Sequence, residues 1–229
     1  MDPIRLKQFL DSTPAIRSPA QKISAALLKG EKLRLTEAVV SMDPLNRPLT
    51  EGFRIDTYHN KESGEDIPVL VIATHSDKLI DVFEALLDLM SRELTIVLET
   101  SHRYPNEAKH DDFYRSNAEP WFIKHIVRQY SDLFLNDSCT GIAVVDDELP
   151  EEIQFDEHKC LFVYSRRIKE FRKVLEDHGI SYDKRLHLIS EDKHQHVFLN
   201  EEYPRQFEEL ARDADVAMDS GEDEELFSS

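Results

Sequence analysis

Histidine, aspartate and glutamate gather at the joints of this 229-residue chain. Thr74-His75 follows one apolar run, and Glu99-Thr100-Ser101-His102 follows the next. The polar stretch after it continues to His110-Asp111-Asp112. Asp146-Asp147 closes a third run, and Asp192-Lys193-His194-Gln195-His196 follows the last. Neutral imidazoles and carboxylates are ligands for Zn, Mn or Fe, and a site with one open position would supply a metal-activated water. The candidate metal ligands are therefore His102, His110, Asp111, His194 and His196. They would meet if the strands before them run parallel and end on one edge of a sheet. No HExxH accompanies them, and the His-x-His at 194 and 196 matches no signature by itself.

Other chemistry finds less support. Ser76 and Ser165 stand where apolar runs give way to helical periodicity, but neither lies in Gly-x-Ser-x-Gly, and both suit a helix N-cap. Cys139 and Cys160 fall in apolar runs with no second cysteine at ligand spacing, and read as small buried hydrophobes of a reducing compartment. The dense basic run supplies Arg166, Arg167, Lys169, Arg172 and Lys173, with Lys184-Arg185 beyond it. At a helix N-terminus these could hold an anion or an acidic partner. The competing reading is an ordinary polar face with Ile168, Phe171 and Leu175 turned inward.

The elements that must position these groups follow from periodicity. Asp2-Pro3 and Ser18-Pro19 each open a short helix, ending near Ser12 and at Gly30, and together they make an N-terminal helical arm, 1–30. Leu33–Met42 reads as a strand. Phe53–Tyr58 alternates and Ile67–Ala73 is almost wholly apolar, so these two form an antiparallel hairpin. Helices are expected over Ser76–Met90, Pro120–Phe134, Arg166–His178 and Pro204–Arg212. Strands are expected at Leu94–Leu98, Gly141–Val145, Cys160–Tyr164 and Leu186–Ile189. The polar segment 101–117 reads as a long loop. The stretches around Ser76 and Ser165 share apolar spacing, as two amphipathic helices of one period do.

The sequence therefore predicts an α/β fold: a mixed sheet with antiparallel N-terminal strands and flanking helices, in one main domain over 31–212. The alternative is an α+β, ferredoxin-like arrangement. With 40% hydrophobic and 32% charged residues the composition is globular. The formal net charge is −18, which repels a phosphate backbone and argues against broad nucleic-acid binding. Seven acidic residues between Asp213 and Glu225, with no Lys or Arg after Arg212, mark 213–229 as an acidic, disordered tail. No apolar run is long enough to span a bilayer, and the N-terminus lacks a signal-peptide pattern, so a cytoplasmic protein is expected.

Two functions fit these features, the first as the main expectation and the second as its alternative. The first is a non-enzymatic, protein-binding regulatory module acting through acidic surfaces and the tail, with no cofactor. The second is a metal-dependent hydrolase, holding a divalent ion such as Zn or Mn in the His- and Asp-rich loops at the strand ends.

Overall fold

Apolar runs too short for helices become strands here, and those buried on both sides become the centre of a sheet. The computed structural model describes residues 32–42, 48–61, 64–104, 109–197 and 200–218. In chain order its elements are β1 (Val39–Ser41), β2 (Gly52–His59), β3 (Asp66–Ala73), α1 (Leu79–Leu87), β4 (Leu94–Thr100), β5 (Asp111–Ala118), α2 (Pro120–Gln129), α3 (Ser131–Asn136), β6 (Thr140–Asp146), β7 (Glu152–Phe155), β8 (Leu161–Tyr164), α4 (Ile168–Asp177), β9 (His194–His196), α5 (Tyr203–Asp213) and β10 (Ala217–Met218). The expected helical arm lies outside the described residues, as does the tail beyond Met218.

Eight strands form one sheet in the order β10-β5-β4-β6-β7-β8-β3-β2, and β1 pairs with β9 in a separate two-stranded sheet. Helices and strands share one architecture, as expected, and the N-terminal hairpin is present with unbroken register from Gly52↔Ala73 to His59↔Asp66. Pairing between neighbouring strands is antiparallel throughout, the α+β alternative. Among the described residues a parallel contact occurs only as an isolated bridge, Phe53 to Tyr182.

Several boundaries differ from the sequence reading, each for a local reason. The segment expected as a long loop contains β5. Its sequence DDFYRSNA is polar, because much of the strand is only half buried. Leu186–Ile189 buries its leucines but joins neither sheet, leading instead into a 3-10 turn at Ile189–Glu191. Of Leu33–Met42, only Val39–Ser41 pairs as a strand. The helix after Pro120 breaks at Tyr130, and α1 starts at Leu79 with no side-chain cap. The β7–β8 hairpin, with Glu152–Phe155 as its first strand, was not foreseen.

Strand alternation gives the large sheet two buried faces. Leu70, Ile96, Val144, Ile153 and Val163 face the helices, where Phe155 packs between Phe83 and Phe134 at ring-centroid distances of 6.0 and 6.4 Å. Each such fully buried side chain contributes roughly 1.5–3 kcal/mol. On the opposite face Val69, Val71 and Phe162 are covered by Leu33, Val39, Leu186, Leu188 and Ile189. Two extended straps, 32–42 and 186–197, thus do for this face what helices do for the other.

One buried arginine pins the second strap. Arg54 on β2 donates from Nη1 to the Leu186 carbonyl (2.7 Å) and pairs through Nη2 with Glu191 Oε1 (2.7 Å). His187 Nδ1 lies 2.9 Å from Glu191 Oε2, which also accepts the Leu188 amide at 3.0 Å. Burial alone would raise the Glu191 pKa. The His187 and Arg54 hydrogen bonds outweigh it and hold the carboxyl down at about 2. A depressed carboxyl stabilises the fold above its unfolded pKa, and that stabilisation is lost as pH falls through the folded value. Glu191→Gln should therefore cost on the order of 3 kcal/mol at neutral pH by removing one of the two carboxylates that pair with the buried Arg54. The difference from wild type should shrink as pH falls from about 4.5 toward 2. Denaturant titrations at several pH values would show this.

Candidate functional site

The antiparallel order brings strand ends together in a way that parallel pairing was expected to do. Counting across the sheet, β3, β7 and β4 run one way, while β8, β6 and β5 return. The ends of β3 and β4, the starts of β5 and β6, and the β7–β8 turn therefore share one end. That end collects His75, Glu99, His102, His110, Asp112, Asp137 and His158. Asp146 and Asp147 stand at the other. There Asp146 accepts the amides of Ser91, Glu148 and Leu149 (2.8–2.9 Å), a loop-closing role.

His194 and His196 reach this end from the strap. On β9 they are two residues apart, so they project to the same side, and β9 pairs with β1 as Val39↔His196 and Ser41↔His194. His158 completes the group from the β7–β8 turn. Ring centroids are separated by 4.9 Å (158–194), 4.9 Å (158–196) and 5.3 Å (194–196). One ligand atom from each ring lies within 4.8 Å of the other two.

What fixes these rings is decisive for their chemistry. His194 Nδ1 is 2.9 Å from the Asp192 carbonyl oxygen, and His196 Nδ1 is 3.0 Å from that of Ser138. His158 Nδ1 is 3.1 Å from Asp156 Oδ2. Carbonyl and carboxylate oxygens only accept, so each Nδ1 must carry the proton and donate it. In the neutral ring Nε2 is then left with its lone pair. Metal-ligating histidines are held in this way, and a carboxylate partner raises ligand basicity. Burial lowers the His158 pKa, but Asp156 more than offsets it, and the net shift is upward.

The turn that presents His158 is built by the same aspartate. Asp156 Oδ1 accepts the Cys160 amide at 2.7 Å, and the Asp156 carbonyl accepts the Lys159 amide at 3.0 Å. Lys159 takes the left-handed conformation, φ 64°, that closes such a turn. Its buried ammonium donates to the Thr140 carbonyl at 3.0 Å, and burial pushes its pKa down to about 8.

The remaining candidates divide among other partners. His102 has Nδ1 2.8 Å from Thr100 Oγ1, while Nε2 is 3.0 Å from Asp137 Oδ2 in a charge-pair contact without hydrogen-bond geometry. Burial raises the Asp137 pKa, but His102 and the Thr140 hydrogen bond prevail and hold it below the usual carboxylate value. Cys139 lies beside this pair, yet its thiol is pushed up by burial. His110 meets Glu99 and Asp112 instead. Asp111 joins none of these groups, since alternation turns it away from Asp112, toward the Tyr104 hydroxyl (3.0 Å) and Arg103 (3.5 Å). His75 is the opposite tautomeric case, its Nδ1 accepting the Arg34 amide at 3.0 Å.

Most of the basic run is engaged by carboxylates. Arg166 pairs with Glu65, Arg172 with Glu176 and Lys173 with Asp177, while Arg167 is tied to the buried Glu151 and to the Leu89 carbonyl. Lys169 lines a shallow groove with Ile55, Pro68 and Ile168. Ser165 donates to Glu151 and accepts the Arg167 amide, a structural role.

No protein-family model, curated protein or solved structure matches the chain. Among the described residues no helix is long and apolar enough to cross a membrane.

The sequence reading held two of the three clustered imidazoles and missed His158. A signal for it existed. Ile153-Gln154-Phe155 and Leu161–Tyr164 are short apolar runs with polar Asp156–Lys159 near the midpoint, the mark of a hairpin turn. Two-bond 1H–15N spectra of the metal-free protein above pH 8 should show Nε2 as the unprotonated nitrogen in His158, His194 and His196. His75 should show the reverse.

Proposed function

We propose that this protein binds a first-row divalent cation, zinc in the first instance, through Nε2 of His158, His194 and His196. The bound ion would serve metal-dependent hydrolysis. One observation carries the reading: three clustered imidazoles each have Nδ1 anchored to an oxygen that can only accept. Each neutral ring then keeps a lone pair on Nε2 for an electrophile, and one ligand atom of each ring lies within 4.8 Å of the other two.

Three neutral nitrogens make a ligand set of the catalytic kind, because tetrahedral zinc then keeps a fourth position for water or substrate. Zn–N bonds of about 2.0–2.1 Å place tetrahedral nitrogens roughly 3.4 Å apart. The present spacing of up to 4.8 Å would close by small ring movements. Asp156 and the Asp192 and Ser138 carbonyls would keep the rings aimed while this happens. An ion held there polarises a bound water and lowers its pKa toward neutrality, the requirement for attack on an ester, amide or phosphoester. The protein-interaction reading rests on composition and on a tail that lies mostly outside the described residues, so the metal reading has the stronger geometric support.

Elemental analysis of protein prepared without chelator or affinity-tag metal should find about one zinc per chain. His194→Ala/His196→Ala should lose the zinc. Wild-type protein that takes up no zinc on titration, or binds it as weakly as this double variant, would remove the reading. The support of His158 makes a separate prediction. Asp156→Ala should weaken zinc binding by about 10–100-fold in competition with a chromophoric chelator. Asp111→Ala, whose carboxylate faces Tyr104 and Arg103, should leave it unchanged.

A further inference from the structure

A different set of groups meets at the β4–β5 edge of the same sheet end. One ligand atom from each of Glu99, His110 and Asp112 lies within 4.8 Å of the others. Glu99 and Asp112 are direct cross-strand partners. Like charges in that position are destabilising, so two carboxylates facing each other across a ladder need a counter-charge. Alternation puts both on the face away from the helices, in the row that continues through Gly141 on β6.

Gly141 makes the room for this arrangement. A Cβ there would stand 3.2 Å from Glu99 Oε2, with the Phe155 carbonyl oxygen 3.4 Å away on its other side. The Glu99 carboxylate therefore folds over the strand instead of reaching out to water. Among the described residues it has neither a hydrogen-bond donor nor a cationic partner. Burial, and after it the nearby Asp112 and Glu152 carboxylates, push its pKa up to about 8. Asp112 is oriented by the Tyr114 hydroxyl, which donates to Oδ2 at 3.2 Å, while Oδ1 lies 3.3 Å from His110 Nε2. The Asp112 side chain is only 8% exposed, whereas His110 at 35% leaves a way in for an ion.

We propose that Glu99, His110 and Asp112 form a second cation site, separate from the three imidazoles, for a first-row divalent ion that prefers oxygen. The imidazole sets this group apart from an ordinary acidic surface. Two carboxylates with one nitrogen suit Mn2+ better than Ca2+ or Mg2+, which favour all-oxygen shells. The ion would convert the Glu99–Asp112 repulsion into a bridge between β4 and β5, and water would complete its coordination. The inference does not depend on the three-imidazole site, because the ligand sets share no residue.

The test uses Mn2+ alone, on full-length, chelator-stripped protein carrying His194→Ala/His196→Ala to silence the other site. Binding is followed by the electron spin resonance signal of free Mn2+. This background should bind about one Mn2+ per chain. Adding Glu99→Gln should weaken binding at least 10-fold, and adding His110→Ala should weaken it too. Thermal melts supply a second reading that a purely structural role would not give. Without metal, and above about pH 8 where Glu99 is ionised, Glu99→Gln should melt at or above its parent, since it removes a repulsion. With Mn2+, the parent should gain stability and the Glu99→Gln form should not. No Mn2+ binding in the parent background, or binding equally tight after Glu99→Gln, would overturn the proposal.

Discussion

Both faces of the central strands must be kept from water, and the architecture follows from how each face is covered. β3 and β8 carry buried apolar side chains on their two sides, so one layer of helices is not enough. The second cover consists of extended straps instead of helices. A strap has no internal ladder of hydrogen bonds, so its backbone polar groups must find partners elsewhere. The partners it finds are Arg54 beneath it, the β1–β9 pairing along its edge, and Ser138 at its end, whose hydroxyl donates to the Val197 carbonyl at 3.2 Å. Covering the sheet thus brings His194 and His196 to the β7–β8 turn. The candidate metal centre is a product of that second cover.

Within this end of the sheet, hydrogen-bond polarity separates imidazoles that sequence alone makes equivalent. His75 accepts a backbone amide at Nδ1, so its neutral ring carries its proton on Nε2, facing Glu51. His102 is occupied on both sides, by a hydroxyl and a carboxylate. His158, His194 and His196 donate from Nδ1 to acceptor-only oxygens, which leaves three lone pairs in one small space. The same residue type, at one end of one sheet, serves as packing, as ion-pair partner and as candidate ligand. The distinction lies in which atom faces the nitrogen, not in burial, since all three modes occur in rings largely withdrawn from solvent.

Much of the fold was legible where periodicity and burial agree. The β2–β3 hairpin, the apolar stripes of α1 and α4, and the central strands all follow from spacing that only one secondary structure satisfies. β5 escaped notice because DDFYRSNA carries too little apolar alternation, and its place in the sheet is set by β4 beside it. The three-residue β9 was equally hidden, as His-Gln-His has no apolar signal and becomes a strand only by pairing with β1. Strand direction was beyond reach for a related reason. Helices between strands suggested parallel neighbours, but β3 and β4, which do run the same way, have three other strands between them. The grouping of His75, Glu99 and His102 at one end survives this, because it needs common direction and not adjacency.

That last point explains why the ligand sets are three and not one. In a parallel sheet, strand ends meet as neighbours about 4.8 Å apart. Here β8, β7 and β6 stand between β3 and β4, and the ionisable groups are spread along the sheet end in small sets. Each set is confined to the strands it touches: His110 and Asp112 with Glu99 across β4–β5, His102 with Asp137 between β4 and β6, and His158 with the strap over β7–β8. Asp111 shows how strict the confinement is. One residue from Asp112, it faces the other side of the sheet and is lost to the set its neighbour joins. The pleat, with its period of two, decides which acid can reach a cation, and the antiparallel order decides which histidine stands beside it.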